Sequence, residues 1–159
     1  MILVKRKHDV PLKLEWNELT NQCIRNISFH RCIIDNFDFC KSFIDNVDFR
    51  CADAHGIRMR DAIIQDSIFI LVDGMGGDYA RSKFYNTNLL HSDLRNSVFE
   101  GADLRGAVFK YTNLESCNFK GADLGANDFD NCNLNKVVYD ANTKWKSGFK
   151  PETMGAVFL

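Results

Sequence analysis

From residue 102 to residue 134 the chain reads in fives: ADLRG AVFKY TNLES CNFKG ADLGA NDFDN CNL. Each five gives a small residue, an Asp or Asn, a Leu or Phe, and two mostly polar residues. Call the large residue i, so that the small one is i−2 and the Asp or Asn is i−1. In extended backbone i−2 and i point to one side and i−1 to the other. Each pentad therefore offers one small and one large side chain inward. The two residues left over can turn a corner, where Gly, Asn and Asp tolerate positive φ. A strict period of five does not supply the i, i+3, i+4 stripe of a helix. One pentad cannot bury its own apolar pair, so the repeat must stack on copies of itself.

The frame extends backward through the large centres Ile24, Phe29, Ile34, Phe39, Ile44, Phe49, Met59, Ile64, Phe69, Tyr79 and Phe84, and forward to Tyr139. Ala54 and Gly74 are the two centres that supply no large group, and Gly74 is expected to leave a gap in the core. Phe37 puts a large residue at an i−2 position, where overpacking costs about 1–3 kcal/mol and a local bulge is expected.

This pattern resembles the pentapeptide-repeat proteins, whose signature is A(D/N)LXX. The resemblance implies an all-β fold, a right-handed quadrilateral β-helix with four pentads per coil. Residues 22–141, 120 in all, hold 24 pentads and so about six coils, a rod roughly 29 Å long at strand spacing. Residues 1–21 are expected to form an N-terminal cap or a degenerate first coil. Val10, Leu12, Leu14 and Trp16 alternate there, and Leu14 and Leu19 keep the pentad phase. Residues 142–159 leave the pattern and are expected to cap the other end. Pro151 can start a short capping helix that Gly155 would end, leaving Trp145, Phe149, Met154, Val157 and Phe158 to plug the last coil. Two courses fit residues 70–82, ILVDGMGGDYARS: a continuing coil with Asp73 and Asp78 at i−1, or a loop that leaves the rod and returns.

The chain of 159 residues has a net charge of −1 with 26% charged residues, which gives no global pull toward nucleic acid. The N-terminal MILVKRKHDVP is too short in apolar residues to read as a signal peptide or membrane span. Six cysteines lack metal-site spacing, and Cys32, Cys117 and Cys132 fall at i−2 as small buried groups. A reducing, cytoplasmic setting is expected. No catalytic residue, metal site or cofactor is assigned. His8, His30, His55 and His91 are scattered, and no helix pattern follows DGMGGD to present its amides to a phosphate.

Two surface features follow from stacking residues twenty apart. Asp53, Asp73 and Asp93 fall at i−1 on one face, an acidic stripe whose members, roughly 5 Å apart, repel by a few kcal/mol unless compensated. Phe43 and Ile63 stack on another face, and Ile68, Ile70, Leu71, Leu90, Val108 and Tyr111 point outward on the next. A contiguous apolar patch of that kind marks contact, unless residues 1–21 or a 70–82 loop fold over it.

The stretch DFRCADAHGIRMRDAIIQDSIF, residues 48–69, is similar to the family's quinolone-resistance group through the Ala54, Gly56, Ile57 and Arg60 run. That similarity implies a protein partner, DNA gyrase, engaged by partial imitation of duplex DNA, and a homodimer, for which the terminal AVFL strand of the C-terminal cap offers edge pairing. The repeat region carries about −4, which is −1 for the chain less +1 for residues 1–21 and +2 for residues 142–159. A duplex imitation calls for more. The alternative is an adaptor, immunity or regulatory protein that uses the apolar patch. Neither reading involves direct contact with nucleic acid or a membrane.

Overall fold

A computed structural model describes residues 1–159. The chain is a right-handed β-helix of square section with about seven turns. Its coils pair in parallel with partners twenty residues apart. On one face the strands β3 (Cys23–Arg25), β4 (Phe43–Asp45), β5 (Ile63–Gln65) and β6 (Lys83–Tyr85) lie in register, with Ile24, Ile44, Ile64 and Phe84 aligned. Two other faces are tied by bridges alone, from Ile33 to Asp53, Asp73, Asp93, Asn113 and Asn133, and from Asp38 through Arg58, Asp78, Val98 and Asn118 to Val138. Corners are turned by residues with positive φ, among them Asn36, Asn46, Gly56, Gly76, Asn96 and Gly121.

Every centre from Ile24 to Leu134 is buried, and the i−2 residues from Cys32 onward are buried except Phe37. Inside the tube aromatic rings form columns: Phe29, Phe49 and Phe69 stack at 5.2 and 4.4 Å, and Tyr79, Phe99 and Phe119 at 4.8 and 5.1 Å. The hydroxyls and thiols at i−2 are held by the wall itself. Ser42, Thr87, Ser92, Thr112, Cys117 and Cys132 each donate to the carbonyl 23 residues earlier. Ser42, Ser67, Ser92 and Ser97 accept a backbone N–H from the preceding coil. A small polar residue thus satisfies buried backbone while occupying little more volume than Ala.

Residues 70–82 continue the coil. Asp73 bridges Asp53 and Asp93, and Asp78 bridges Arg58 and Val98. Gly74 leaves no gap, because the larger Tyr79 fills the space. A Cβ on Gly74 would sit 3.3 Å from the Tyr79 hydroxyl, and one on Gly77 would sit 2.5 Å from its ring. The two glycines make room for one ring. Phe37 causes no bulge: Asp38 pairs with Arg58, and Arg58 N–H donates to Phe37 O at 2.9 Å. Its ring lines a cavity with Ile2, Leu19 and Thr20, half-buried and packed against the core.

At the N-terminus β1 (Ile2–Val4) and β2 (Leu12–Leu14) form an antiparallel hairpin, with Val4, Leu14 and Leu19 buried and Trp16 packed on the core. The hairpin docks onto the first full coil, where Ile33 N–H donates to Lys5 O and Lys7 N–H to Arg31 O. Within the repeat lie the short strands β7 (Thr87–Asn88), β8 (Ala107–Val108), β9 (Asp123–Leu124) and β10 (Val138–Tyr139). Beyond it, β11 (Lys144–Trp145) pairs with β9, and β12 (Val157–Phe158) pairs with β10. The tail therefore prolongs the wall, which accounts for a seventh turn beyond the six expected. A single 3-10 turn spans Pro151–Met154 and ends at Gly155, φ 88°. Trp145, Phe149 and Met154 pack over the core as expected, whereas Val157, Phe158 and Leu159 are exposed. No helix is long and apolar enough to cross a membrane.

Candidate functional site

The stacking that fills the tube also fixes what the outside offers, because each outward residue repeats every coil. Ile68 and Ile70 flank the buried Phe69 and point out, and Leu71 follows at the corner. One coil on, Leu71 N–H donates to Leu90 O at 3.1 Å, which sets Leu90 beside Ile70. The next corner carries His91, whose ring stacks on Tyr111 with centroids 4.8 Å apart and planes 7° from parallel. Lys110 Nζ stands 5.4 Å from the centroid of the Tyr111 ring. Ile68, Ile70, Leu71, Leu90 and Tyr111 thus form one surface together with His91. Leu71 is 56% exposed and Tyr111 46%, so neither the hairpin nor a loop covers it.

Leu71, His91 and Tyr111 all sit at φ near +60° (58°, 58° and 61°). That conformation suits Gly and Asn, and for large side chains it is held only against a steric cost. Val108 lies at the edge of the patch, one coil beyond Asn88, and is 49% exposed. Phe43 and Ile63 are in register with each other but stand on the previous face, round the corner formed by Gln65 and Asp66. Arg25 covers Phe43, its guanidinium 5.0 Å above the ring. The eight apolar residues therefore divide into a main patch of five, Val108 at its rim, and a separate pair.

The acidic stripe is in register as expected but is not bare. Asp53 pairs with Lys7 of the hairpin at 2.5 Å, and Asp93 with Arg95 at 2.7 Å. His55 lies between Asp35, 2.9 Å from its Nδ1, and Asp73, 3.1 Å from its Nε2. The hydrogen bond with Asp35, and then the charge of Asp73, raise the His55 pKa above its ordinary value. Elsewhere Arg58 joins Asp38, Arg60 joins Asp78, and Arg81 joins Asp61, at 2.6–2.7 Å. Hydrogen bonding by Arg81 holds Asp61 below the usual carboxylate range, and Arg105 does the same for Asp103. These pairs are exposed and add little stability each. Their larger effect is to cancel the field that a row of free carboxylates would project.

No group of three or more His, Cys, Asp or Glu side chains is placed to hold a metal ion. Burial pushes the Cys117 thiol up to about 12 and Cys132 to about 11, so both remain protonated at neutral pH. Lys7 lies outside the residues that the sequence singles out. The His91–Tyr111 stack is implicit in the twenty-residue register. The Lys7–Asp53 tie has no such signal, since it depends on how the aperiodic N-terminus folds back.

Comparison with known proteins agrees with this geometry. A family model described as pentapeptide repeats matches residues 82–121 and 109–138. No curated protein matches the chain. Among solved structures, a pentapeptide repeat protein from Nostoc Pcc 7120 superposes with a TM-score of 0.57 at 24% identity, over 70% of this chain and 84% of that one. A thylakoid-lumen pentapeptide repeat protein from Arabidopsis thaliana gives 0.50 at 21% identity, over 58% and 68%. Trypsin-treated QnrB1, a plasmid-mediated fluoroquinolone resistance protein, gives 0.53 at 15% identity, over 92% and 86%. At these identities the likeness is one of fold.

Proposed function

We propose that this chain, whose residues 82–121 and 109–138 match the pentapeptide-repeat family, is a non-catalytic scaffold that binds a protein through the patch formed by Ile68, Ile70, Leu71, Leu90 and Tyr111. The observation that carries this reading is the patch itself: contiguous large apolar side chains on the outside of the rod, two of them, Leu71 and Tyr111, well exposed at corner positions of positive φ. Contiguous exposed apolar surface is the usual mark of an interface, and Tyr is enriched at such centres. A reducing, cytoplasmic setting suits six cysteines that are all free.

The narrower reading takes the partner to be DNA gyrase. The shared fold with a fluoroquinolone resistance protein motivates it. The pairing of Asp53, Asp73 and Asp93 with Lys7, His55 and Arg95 weighs against imitation of a phosphate row. If gyrase is the partner, contact runs through the patch. Self-association through the C-terminal strand is a separate proposal, motivated by exposed Val157, Phe158 and Leu159.

Affinity capture with the wild type beside a Leu71→Asp/Leu90→Asp variant tests the scaffold reading. A protein retained by the wild type and lost by an equally stable variant supports it, and identical retention by both overturns it. Gyrase supercoiling and quinolone-cleavage assays with the same two proteins test the narrower reading, which fails if neither protein has an effect at micromolar concentration. Light scattering on Phe158→Asp reports whether the terminal strand joins two copies.

A further inference from the structure

The coil-to-coil ladder fails at one place within the stack. Asn88 pairs with Val108, but residues 107–109 make no bridge to residues 127–129. By the register of the other coils, Phe109 N–H would donate to Asp128 O, and Asp128 N–H to Ala107 O. Neither bond forms. On the preceding face Asp103 still pairs with Asp123, and past the gap Tyr111 N–H donates to Asp130 O at 3.2 Å. The wall is therefore parted over one pentad and closed on either side. The opening is a cavity of about 260 Å³ whose lining includes Ala107, Val108, Lys110, Asn127 and Asp128.

Asn127 is the second anomaly. It occupies an i−2 position, where most Ser, Thr and Cys residues elsewhere donate to the carbonyl 23 residues back. Asn127 does not. It is 3% exposed, and neither its amide nitrogen nor its amide oxygen has a partner. Buried polar groups left this way are costly and call for an explanation. Two backbone donors, two backbone acceptors and one buried carboxamide are thus left without partners in the pentads that border the opening.

We propose that this slot binds a carboxamide, supplied by an Asn or Gln side chain of the protein that covers the adjoining patch. The inference rests on the patch reading for the source of the group, since Val108 belongs to both surfaces. The chemistry follows from the slot. Because the wall is closed on both sides, an added strand does not fit, and the ligand must be the end of a side chain. Donors and acceptors are present in equal number, so a neutral group bearing one of each matches them. A carboxylate would face the free carbonyls, while an ammonium would leave the N–H groups unmet. The charges at the rim favour neither ion, because Asp128 is paired with Lys146, and the two that remain, Lys110 and Asp130, are of opposite sign.

Titration of the intact ¹⁵N-labelled chain with acetamide, acetate or methylammonium tests the slot without any partner. Acetamide is expected to give saturable shifts of the Phe109 and Asp128 backbone amides and of the Asn127 side-chain amide, and the two ions to give none. Asn127→Ala keeps the fold, since Ala is the ordinary residue at i−2 (Ala102, Ala107, Ala122). It is expected to weaken acetamide about tenfold or more, as the loss of buried hydrogen bonds requires. Absence of saturation, equal response to all three probes, or unchanged affinity in Asn127→Ala overturns the proposal. A failed titration removes the slot and leaves the patch standing. Unchanged partner capture by the Leu71→Asp/Leu90→Asp variant removes the patch and leaves the slot.

Discussion

Tyr79 offers a test of the core in which the expected sign runs against habit. Its ring is fully buried, and its hydroxyl has no hydrogen-bond partner. Burial raises the phenol pKa, as expected for an oxygen shielded from water. A buried hydroxyl left unpaired costs about 1–3 kcal/mol. Tyr79→Phe removes that oxygen and keeps the ring stacked on Phe99. The variant is therefore expected to be more stable than the wild type, by up to that amount less the packing contacts the oxygen makes. At about 2–4 °C per kcal/mol for a chain of this size, thermal denaturation followed by circular dichroism resolves the change. A second substitution locates it. The Gly74 Cβ position lies 3.3 Å from the hydroxyl and 3.1 Å from Leu94 Cδ2, and Gly74 does not adopt the left-handed conformation. Gly74→Ala is thus expected to be better tolerated in the Tyr79→Phe background than in the wild type, giving a favourable coupling in a double-mutant cycle. A lower Tm for Tyr79→Phe, with additive effects of the two changes, would refute the reasoning.

Three further outcomes are expected. Ser92→Ala removes both the donor to Phe69 O and the acceptor for Val72 N–H, and should cost about 1–3 kcal/mol in urea denaturation for each group left unmet. Phe109→Asp places a charge in mid-tube, where no partner exists; against a total stability of about 5–15 kcal/mol, loss of the cooperative transition is expected by calorimetry. His55 contributes to stability in the protonated form. Its raised folded pKa means that this contribution is complete below the unfolded value near 6.5 and is lost as pH rises through the folded value. The Tm of His55→Gln measured against pH should lack that decline, and parallel curves for the two proteins would contradict the assignment.

The five-residue period suffices to place every centre of the wall, because a tube that repeats its section must repeat its small and large inward residues. The register also contains the surface ion pairs: Arg58 and Asp38, or Arg81 and Asp61, are twenty apart. The stripe of Asp53, Asp73 and Asp93 reads as bare only when Lys7 and His55 are left out of the count. A gap at Gly74 follows if each position is weighed alone, whereas Gly74, Gly77 and Tyr79 share one volume. A bulge at Phe37 follows only where the ring must fit inside the tube, and the cavity it lines with Ile2, Leu19 and Thr20 gives the ring somewhere to go. The fold-back of the N-terminal hairpin and the seventh turn are not legible: Leu14 and Leu19 keep the phase without showing that the chain reverses, and residues 142–159 leave it. Asn127 leaves only a faint signal, an amide at a position otherwise held by small residues.

The register itself is open to direct measurement through scalar couplings across hydrogen bonds. Tyr79 N–H should couple to the carbonyl of Val98, Gly74 to Asp93 and Phe49 to Ile68, each nineteen residues ahead, while Phe109 should show no coupling to Asp128. Couplings from these amides to residues at any other spacing, or none for residues 70–82, would contradict the stacked coil on which the patch, the slot and the paired charges all depend.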